Sequence, residues 1–187
     1  GYQIIAPTAN LPTITGSTIV DATTQPGYAG QPLIEIRNSS LFFNNNSGSV
    51  ARGLNFTSTV ANFTDGIRGT NVTNFLAENN WYNLNSSGTA VFDNNTVDGI
   101  FISGGSNVTI RNNVLAAWGS GVRDIILQNI TGSLVENNYW GTDLTGNVNL
   151  NTLAKGILLT GGDNAVIRQN VGGGLTEGMG VESFSGT

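Results

Sequence analysis

The feature that most restricts the fold of this chain is a short motif that recurs along it. The motif reads apolar residue, any residue, charged residue and two asparagines, and it occupies residues 76–80, 91–95, 109–113 and 134–138, with a weaker copy at 166–170. A second unit, Gly-apolar-x-apolar followed by a Gly- and Asn-containing turn, occupies 99–107 and 156–164 and is followed each time by the first motif. Asparagine tolerates left-handed backbone at sharp corners, so each unit predicts a short strand, a corner and another short strand.

Repetition of such units predicts stacked coils of parallel strands. The asparagine pairs are spaced unevenly, by 15, 18, 25 and 32 residues, and we interpret the short steps as pairs within or between neighbouring coils. Stacking would place asparagine over asparagine, with the side-chain amides bonded along the stack. The alternative is a β-sandwich, which needs hairpins. Only Asp65-Gly66 and Asp98-Gly99 carry a hairpin signature, so we favour one all-β domain over residues 1–187, a parallel β-helix or β-solenoid.

Two stretches resemble a known group of proteins. Residues 137–146, followed by 156–159, are similar to the repeat of secreted or cell-surface right-handed parallel β-helix proteins, and residues 11–28 resemble the first coil of the same group. The resemblance is to the pectate-lyase-like β-solenoid superfamily, of the surface-protein or adhesin type. It implies a right-handed single-stranded parallel β-helix outside the cell or on its surface. Members of the group run longer, so we expect this chain to be part of, or processed from, a longer one.

Composition excludes several partners. Lys and Arg number 7 against 12 Asp and Glu, and only 10% of residues are charged, so no basic stripe exists to neutralise nucleic acid. Anionic lipid surfaces are excluded for the same reason. No apolar run approaches the roughly 18 residues of a membrane span, so we expect no membrane insertion. Cysteine is absent, and histidine is absent too, which removes the commonest general base and the commonest metal ligand.

Catalysis is not expected from the acidic residues. A glycosidase needs two facing carboxyl groups, and a lyase needs acidic calcium ligands with a base nearby. The residues available for such roles are Asp93 with Asp98, Glu136 with Asp143, Asp124, Arg111 and Arg123. They form no dense cluster, and we interpret them as solvent-facing strand residues that pair across neighbouring coils. We therefore predict no enzyme activity, no catalytic residue, no metal site and no cofactor.

Aromatic residues and glycosylation sequons give the remaining candidate sites. Trp81, Trp140 and Tyr139 follow Asn-rich turns and are candidate glycan contacts, although such residues also fill cores. The Asn-x-Ser/Thr sequons, which are candidate N-glycosylation sites, lie at Asn38, Asn45, Asn55, Asn62, Asn71, Asn85, Asn94, Asn107 and Asn129. They also arise wherever asparagine corners adjoin threonine strands.

The sequence predicts a function only through its fold. Neither end of the chain shows a helical or charge-rich capping unit, so a stacked fold would be capped by another copy of itself, which gives a head-to-tail contact that does not close. We expect a non-catalytic extracellular structural subunit that assembles into a filament or surface layer. The alternatives are a carbohydrate-binding or adhesive module and, third, a polysaccharide lyase or glycosidase.

Overall fold

The computed structural model describes residues 1–60, 65–94, 98–119, 121–174 and 177–182, and this part of the chain is all β, with no helix. No element in it could therefore cross a membrane as a helix. The strands are β1 Gln3–Ile5, β2 Ile19–Asp21, β3 Ile34–Arg37, β4 Leu41–Asn44, β5 Val50–Arg52, β6 Leu54–Thr57, β7 Asp65–Thr73, β8 Leu76–Glu78, β9 Trp81–Tyr82, β10 Asp98–Arg111, β11 Val114–Leu115, β12 Arg123–Glu136, β13 Tyr139–Trp140, β14 Lys155–Thr160, β15 Val166–Arg168, β16 Val171–Gly172 and β17 Glu177–Glu182.

The strands form two sheets between which the chain alternates. The smaller sheet has the order β1-β3-β6-β9-β11-β13-β16, and the larger has the order β2-β5-β8-β10-β12-β14-β17. Three further strands belong to the larger sheet: β4 pairs with β7, β7 pairs with β10, and β15 pairs with β12. Every pairing between these strands is parallel. The prediction of an all-β, parallel fold is confirmed, and an antiparallel sandwich is excluded for the described residues. Each return of the chain to the larger sheet is called a repeat below.

The two Asp-Gly pairs are not hairpin turns. Asp65-Gly66 begins β7 and Asp98-Gly99 begins β10, and the two aspartates are register partners. Behind them the core is built from aligned apolar side chains. Ile67, Ile100 and Ile125 lie in one column across three neighbouring strands, each with 0% of its surface exposed. Burial of each such side chain contributes about 1.5–3 kcal/mol, so this column stabilises the long strands against one another.

Each asparagine pair performs two different structural roles. The first residue of the pair turns the corner with left-handed backbone, with φ of 56° at Asn79, 55° at Asn112 and 54° at Asn137. The second residue points inward, and its amides bond along the stack. Asn80 Nδ2 donates to Asn113 Oδ1 at 3.2 Å, and Asn113 Nδ2 donates to Asn138 Oδ1 at 2.9 Å.

The inward ladder continues to the last motif copy, where Asn138 Nδ2 donates to Asn170 Oδ1 at 2.9 Å. The predicted stacking of asparagine on asparagine is thus confirmed. The partners of these bonds are separated by 33, 25 and 32 residues. The copy at 91–95 does not join the ladder: Val91 forms an antiparallel bridge with Leu84, Asn94 is exposed, and Asn95 lies outside the described residues. The spacings of 15 and 18 residues therefore belong to a single repeat of 33 residues, which a loop interrupts.

Candidate functional site

One column of alternating charge crosses the larger sheet. Its members, in register on successive strands, are Asp21, Arg52, Glu78, Arg111, Glu136 and Arg168. Arg52 Nη2 lies 2.7 Å from Asp21 Oδ2, and its Nη1 lies 3.3 Å from Glu78 Oε1. The hydrogen bond from Arg52 lowers the pKa of Asp21 to about 2. The predicted pairing of Arg with Glu across neighbouring repeats is confirmed.

The column has a direction, because it begins on an acid at β2 and ends on a base at β15. Arg168 closes it with an Nη2 to Glu136 Oε2 distance of 2.7 Å, and its own side chain stays 58% exposed. The strands at both ends of the described sheets also expose large apolar side chains. These are Ile4, Ile5 and Ile19 at one end and Val166, Val171 and Met179 at the other.

β16 and β17 are the last strands of the two sheets in the part of the chain that the structure describes. A cavity of about 590 Å³ lies there, lined by Trp140, Ile167 and Met179 together with glycines of the last turns. Trp140 is 7% exposed and belongs to the main core cluster. It is therefore a core residue at this end of the stack, and it does not line the same groove as the other two predicted glycan-contact residues.

Trp81 and Tyr139 do lie together. Both are register partners of Val114 in the smaller sheet, one on each side. Trp81 is only 3% exposed, because Gly88 and Leu144 pack over its ring. Tyr139 is half-buried. Of the three predicted contacts, Tyr139 is thus the one with ring surface open to a ligand.

The loops that cover Trp81 are two small hairpins that touch. One has the antiparallel bridge Leu84–Val91 and the other has the bridge Thr142–Asn149. Leu144 N donates to Gly88 O at 2.9 Å, which joins them. Asp143 is committed to its own turn, where Oδ1 accepts from the backbone nitrogen atoms of residues 145 and 148. These bonds give the Asp143 carboxylate a structural role in its own turn.

A groove of about 410 Å³ runs beside the hairpins. Its lining includes Trp81, Val114, Tyr139 and Leu144, the segment 29–31, and the corner residues Asn79, Asn112 and Asn137. The asparagines were predicted as corner formers and not as a binding surface. Each of the three directly precedes an asparagine of the inward ladder, and this constant spacing is the signal in the sequence that could have placed them in one row along the groove.

The structure brings together two carboxylates, Asp65 and Asp98, that were not considered as a pair from the sequence. Asp98 lies in register with Asp65, and the backbone nitrogen of Arg123 donates to Asp98 Oδ1 at 2.8 Å. Burial, and then the charge of Asp98, raises the pKa of Asp65 to about 6. Burial also raises the pKa of Asp98. The Asp-Gly-Ile sequence common to 65–67 and 98–100 is the signal that would have found Asp65.

Asp124 belongs to the interior, so its interpretation as a solvent-facing strand residue is wrong. It is 0% exposed, Oδ1 accepts from the Ala117 backbone nitrogen at 3.1 Å, and burial raises its pKa well above the usual value. In the catalytic pairs considered above, Glu136 is bonded to Arg168, while Asp93 accepts from the backbone of the following residue. Among the residues that the structure describes, no three acidic side chains form a group suited to a metal ion.

The sequons differ in accessibility. Those with exposed asparagines are Asn45, Asn71, Asn94, Asn107 and Asn129, and those that are half-buried are Asn38 and Asn85. Asn55 is fully buried, and its Nδ2 donates to Tyr2 Oη at 3.1 Å and Leu84 O at 2.8 Å. The folded chain leaves no room for a glycan there. Asn62 lies outside the described residues.

The chain was compared with protein-family models, with curated proteins and with solved structures, and none of the three comparisons gives a significant match.

Proposed function

We propose that the chain is a non-catalytic extracellular structural module, folded as a right-handed single-stranded parallel β-helix, and that copies of it stack end to end into a filament or surface layer. The alternation of the chain between two parallel sheets and the bonded asparagine column support the β-helix. The resemblance of residues 137–146 to secreted surface proteins supports the extracellular location and the pectate-lyase-like relationship.

The observation that carries the assembly proposal is the direction of the charge column. Asp21 stands at one end and Arg168 at the other, so a second copy stacked in the same orientation would set an acid beside a base and continue the alternation. A copy stacked in the reverse orientation would set like charges together, which is unfavourable. An exposed ion pair contributes only about 0–1 kcal/mol, so the column sets orientation.

Apolar contact and strand pairing would supply most of the affinity. Ile19 is 65% exposed on β2 and Val166 is 48% exposed on β15, and the two lie in the same register column. In the described part of the chain, β2 pairs only with β5 and β15 only with β12. Open strand edges are templates for further pairing, and stacking would cover edge and apolar surface together.

A catalytic role has less support, because the glutamates of the charge column and Asp143 already have structural partners. Glu78 and Glu136 are bonded by arginines, and Asp143 caps its own turn. A hydrolase or lyase would need carboxylates free to face a substrate.

A charge exchange tests the assembly. Asp21→Arg alone and Arg168→Asp alone each place like charges at the proposed contact, and the double variant restores an opposite pair there. Each single change also disturbs an ion pair within its own chain, and the double variant keeps both of those disturbances. Recovery of assembly by the double variant therefore reports a contact between copies.

Sedimentation velocity and negative-stain microscopy over a range of concentrations measure the outcome. We expect the wild type and the double variant to form linear assemblies, the single variants to remain small, and the control Asp93→Arg, on a side loop, to assemble like the wild type. A wild-type chain that stays monomeric at every concentration would overturn the proposal.

A further inference from the structure

The three corner asparagines of the groove have free amides. Asn79, Asn112 and Asn137 each directly follow a residue of the charge column on three neighbouring strands, and their side chains make no hydrogen bond within the described ranges. Other corner asparagines bond one another: Asn107 Nδ2 donates to Asn74 Oδ1 at 3.1 Å. The free amides therefore line the groove as a row of donors and acceptors.

The row repeats with the strands. Neighbouring strands in a sheet lie about 4.8 Å apart, so one amide group recurs along the groove at close to the length of a sugar ring. Each amide can donate through nitrogen and accept through oxygen, which matches the paired donor and acceptor character of adjacent sugar hydroxyls.

The remaining walls add an aromatic surface and no charge. Tyr139 is half-buried, and Gly146 packs against only part of its ring. Gln31, exposed on the segment at the other wall, adds another amide. Within the described residues that line the groove, none is charged. Such a surface suits a neutral ligand, since an anionic or cationic one would lose its hydration without gaining an ion pair.

We propose that this groove binds a neutral polysaccharide strand that runs along the stack of repeats, with Asn79, Asn112 and Asn137 bonding successive sugar hydroxyls and Tyr139 contacting a ring face. The site goes beyond the structural role proposed above. Binding is counted per chain, so it does not depend on whether copies stack.

Glycine substitutions test the row without straining the corner. Glycine adopts left-handed backbone without penalty, so Asn112→Gly and Asn137→Gly remove an amide and keep the turn. The matched control is Asn164→Gly, an exposed corner asparagine with φ of 52° that lies outside the groove. Tyr139→Leu tests the aromatic contact.

Isothermal titration uses cellohexaose, xylohexaose, mannohexaose and chitohexaose as neutral probes and an oligogalacturonate as the acidic comparator. We expect at least one neutral probe to bind more tightly than about 1 mM. Loss of one amide should weaken it about fivefold and loss of two about 25-fold, which corresponds to about 1 kcal/mol per hydrogen bond. Tyr139→Leu should also weaken it, and Asn164→Gly should leave it unchanged.

Three results would overturn the proposal. One is the absence of binding by every neutral probe at about 1 mM. Another is wild-type affinity in the Asn112→Gly/Asn137→Gly double variant with its fold intact by circular dichroism. The third is tighter binding of the oligogalacturonate than of any neutral probe.

Discussion

Arg111 approaches one carboxylate oxygen of Glu78 with two of its nitrogens: Nε and Nη2 both lie 2.8 Å from Oε2. The other oxygen, Oε1, faces Arg52 at 3.3 Å. Glu78 thus joins the strands on both sides of its own, and its side chain is only 9% exposed. An ion pair of this kind stabilises more than a solvated one, because removal of the acid takes a bonding partner from Arg111 and leaves Arg52 with its bond to Asp21.

Glu78→Gln should therefore destabilise the fold. We expect the free energy of unfolding to fall by about 1–2 kcal/mol, since charge-assisted hydrogen bonds are stronger than neutral ones but both arginines remain partly solvated. Urea unfolding measures the difference, which should shrink in about 1 M salt. Asp93→Asn, at a loop position, should stay within about 0.5 kcal/mol of wild type. Equal stability of the two variants would contradict the prediction.

The pKa of Asp65 should depend on Asp98. Burial and the neighbouring carboxylate raise the pKa of Asp65 from its usual value to about 6, although Arg68 lies 3.6 Å away. Asp98→Asn removes the neighbouring charge and keeps an oxygen for the Arg123 backbone nitrogen. Carbon-13 NMR of the carboxyl carbons should show the pKa of Asp65 falling in this variant and unchanged in Asp93→Asn.

The same shift gives a pH dependence of stability. Because the folded-state pKa of Asp65 is above the unfolded value, folding favours its protonated form. This contribution is fully present below about pH 4 and is lost as the pH rises to about 6. Asp65→Asn should flatten the stability curve in that window. A wild-type Asp65 that titrates near pH 4 would contradict both expectations.

The parts of the fold that the sequence predicts are those encoded within one motif. Asn112 and Asn113 are adjacent, so the corner conformation of the first fixes the inward direction of the second. Arg111 precedes them at a constant offset, which places its charge in one column. These local relations hold in every repeat that carries the motif, and for this reason parallel stacking, the amide ladder and the pairing of charges follow from the sequence.

The parts that the sequence does not predict depend on loops between motifs. The hairpin with the bridge Leu84–Val91 is followed by a copy of the motif whose described residues, 91–94, do not enter the stack, and this insertion disguises the repeat of 33 residues. The burial of Trp81 depends on Gly88, which belongs to that hairpin, and on Leu144, which belongs to another. Such packing between distant loops leaves no periodic pattern, so Trp81 has the sequence context of an exposed aromatic.

Removal of one asparagine side chain from the inward ladder should lower the stability of the fold. Asn113 is 0% exposed, and its Nδ2 donates to Ala77 O at 3.1 Å as well as to Asn138 Oδ1 at 2.9 Å. Its Oδ1 accepts from the Asn80 backbone nitrogen at 3.0 Å.

Asn113→Ala would remove these three hydrogen bonds from buried groups, and we expect the free energy of unfolding to fall by about 3 kcal/mol or more. Thermal and urea unfolding measure the loss, with the adjacent corner variant Asn112→Gly as the control that should stay within about 1 kcal/mol of wild type. A small loss for Asn113→Ala would mean that the ladder does not stabilise the stack.

Two adjacent glycines of β10 should respond differently to substitution. Gly104 has φ of 74°, and a Cβ there would meet the side-chain oxygen of Asn71, which is exposed and can move. Gly105 has φ of 115°, and a Cβ there would collide with the backbone of Val72, which is fully buried. Gly104→Asn, which places at this corner the residue type of its register neighbours, should therefore change the free energy of unfolding by less than about 1 kcal/mol. Gly105→Ala should cost more than about 3 kcal/mol or prevent folding, and a melting temperature for Gly105→Ala equal to that of wild type would show that β7 and β10 are not in such close contact.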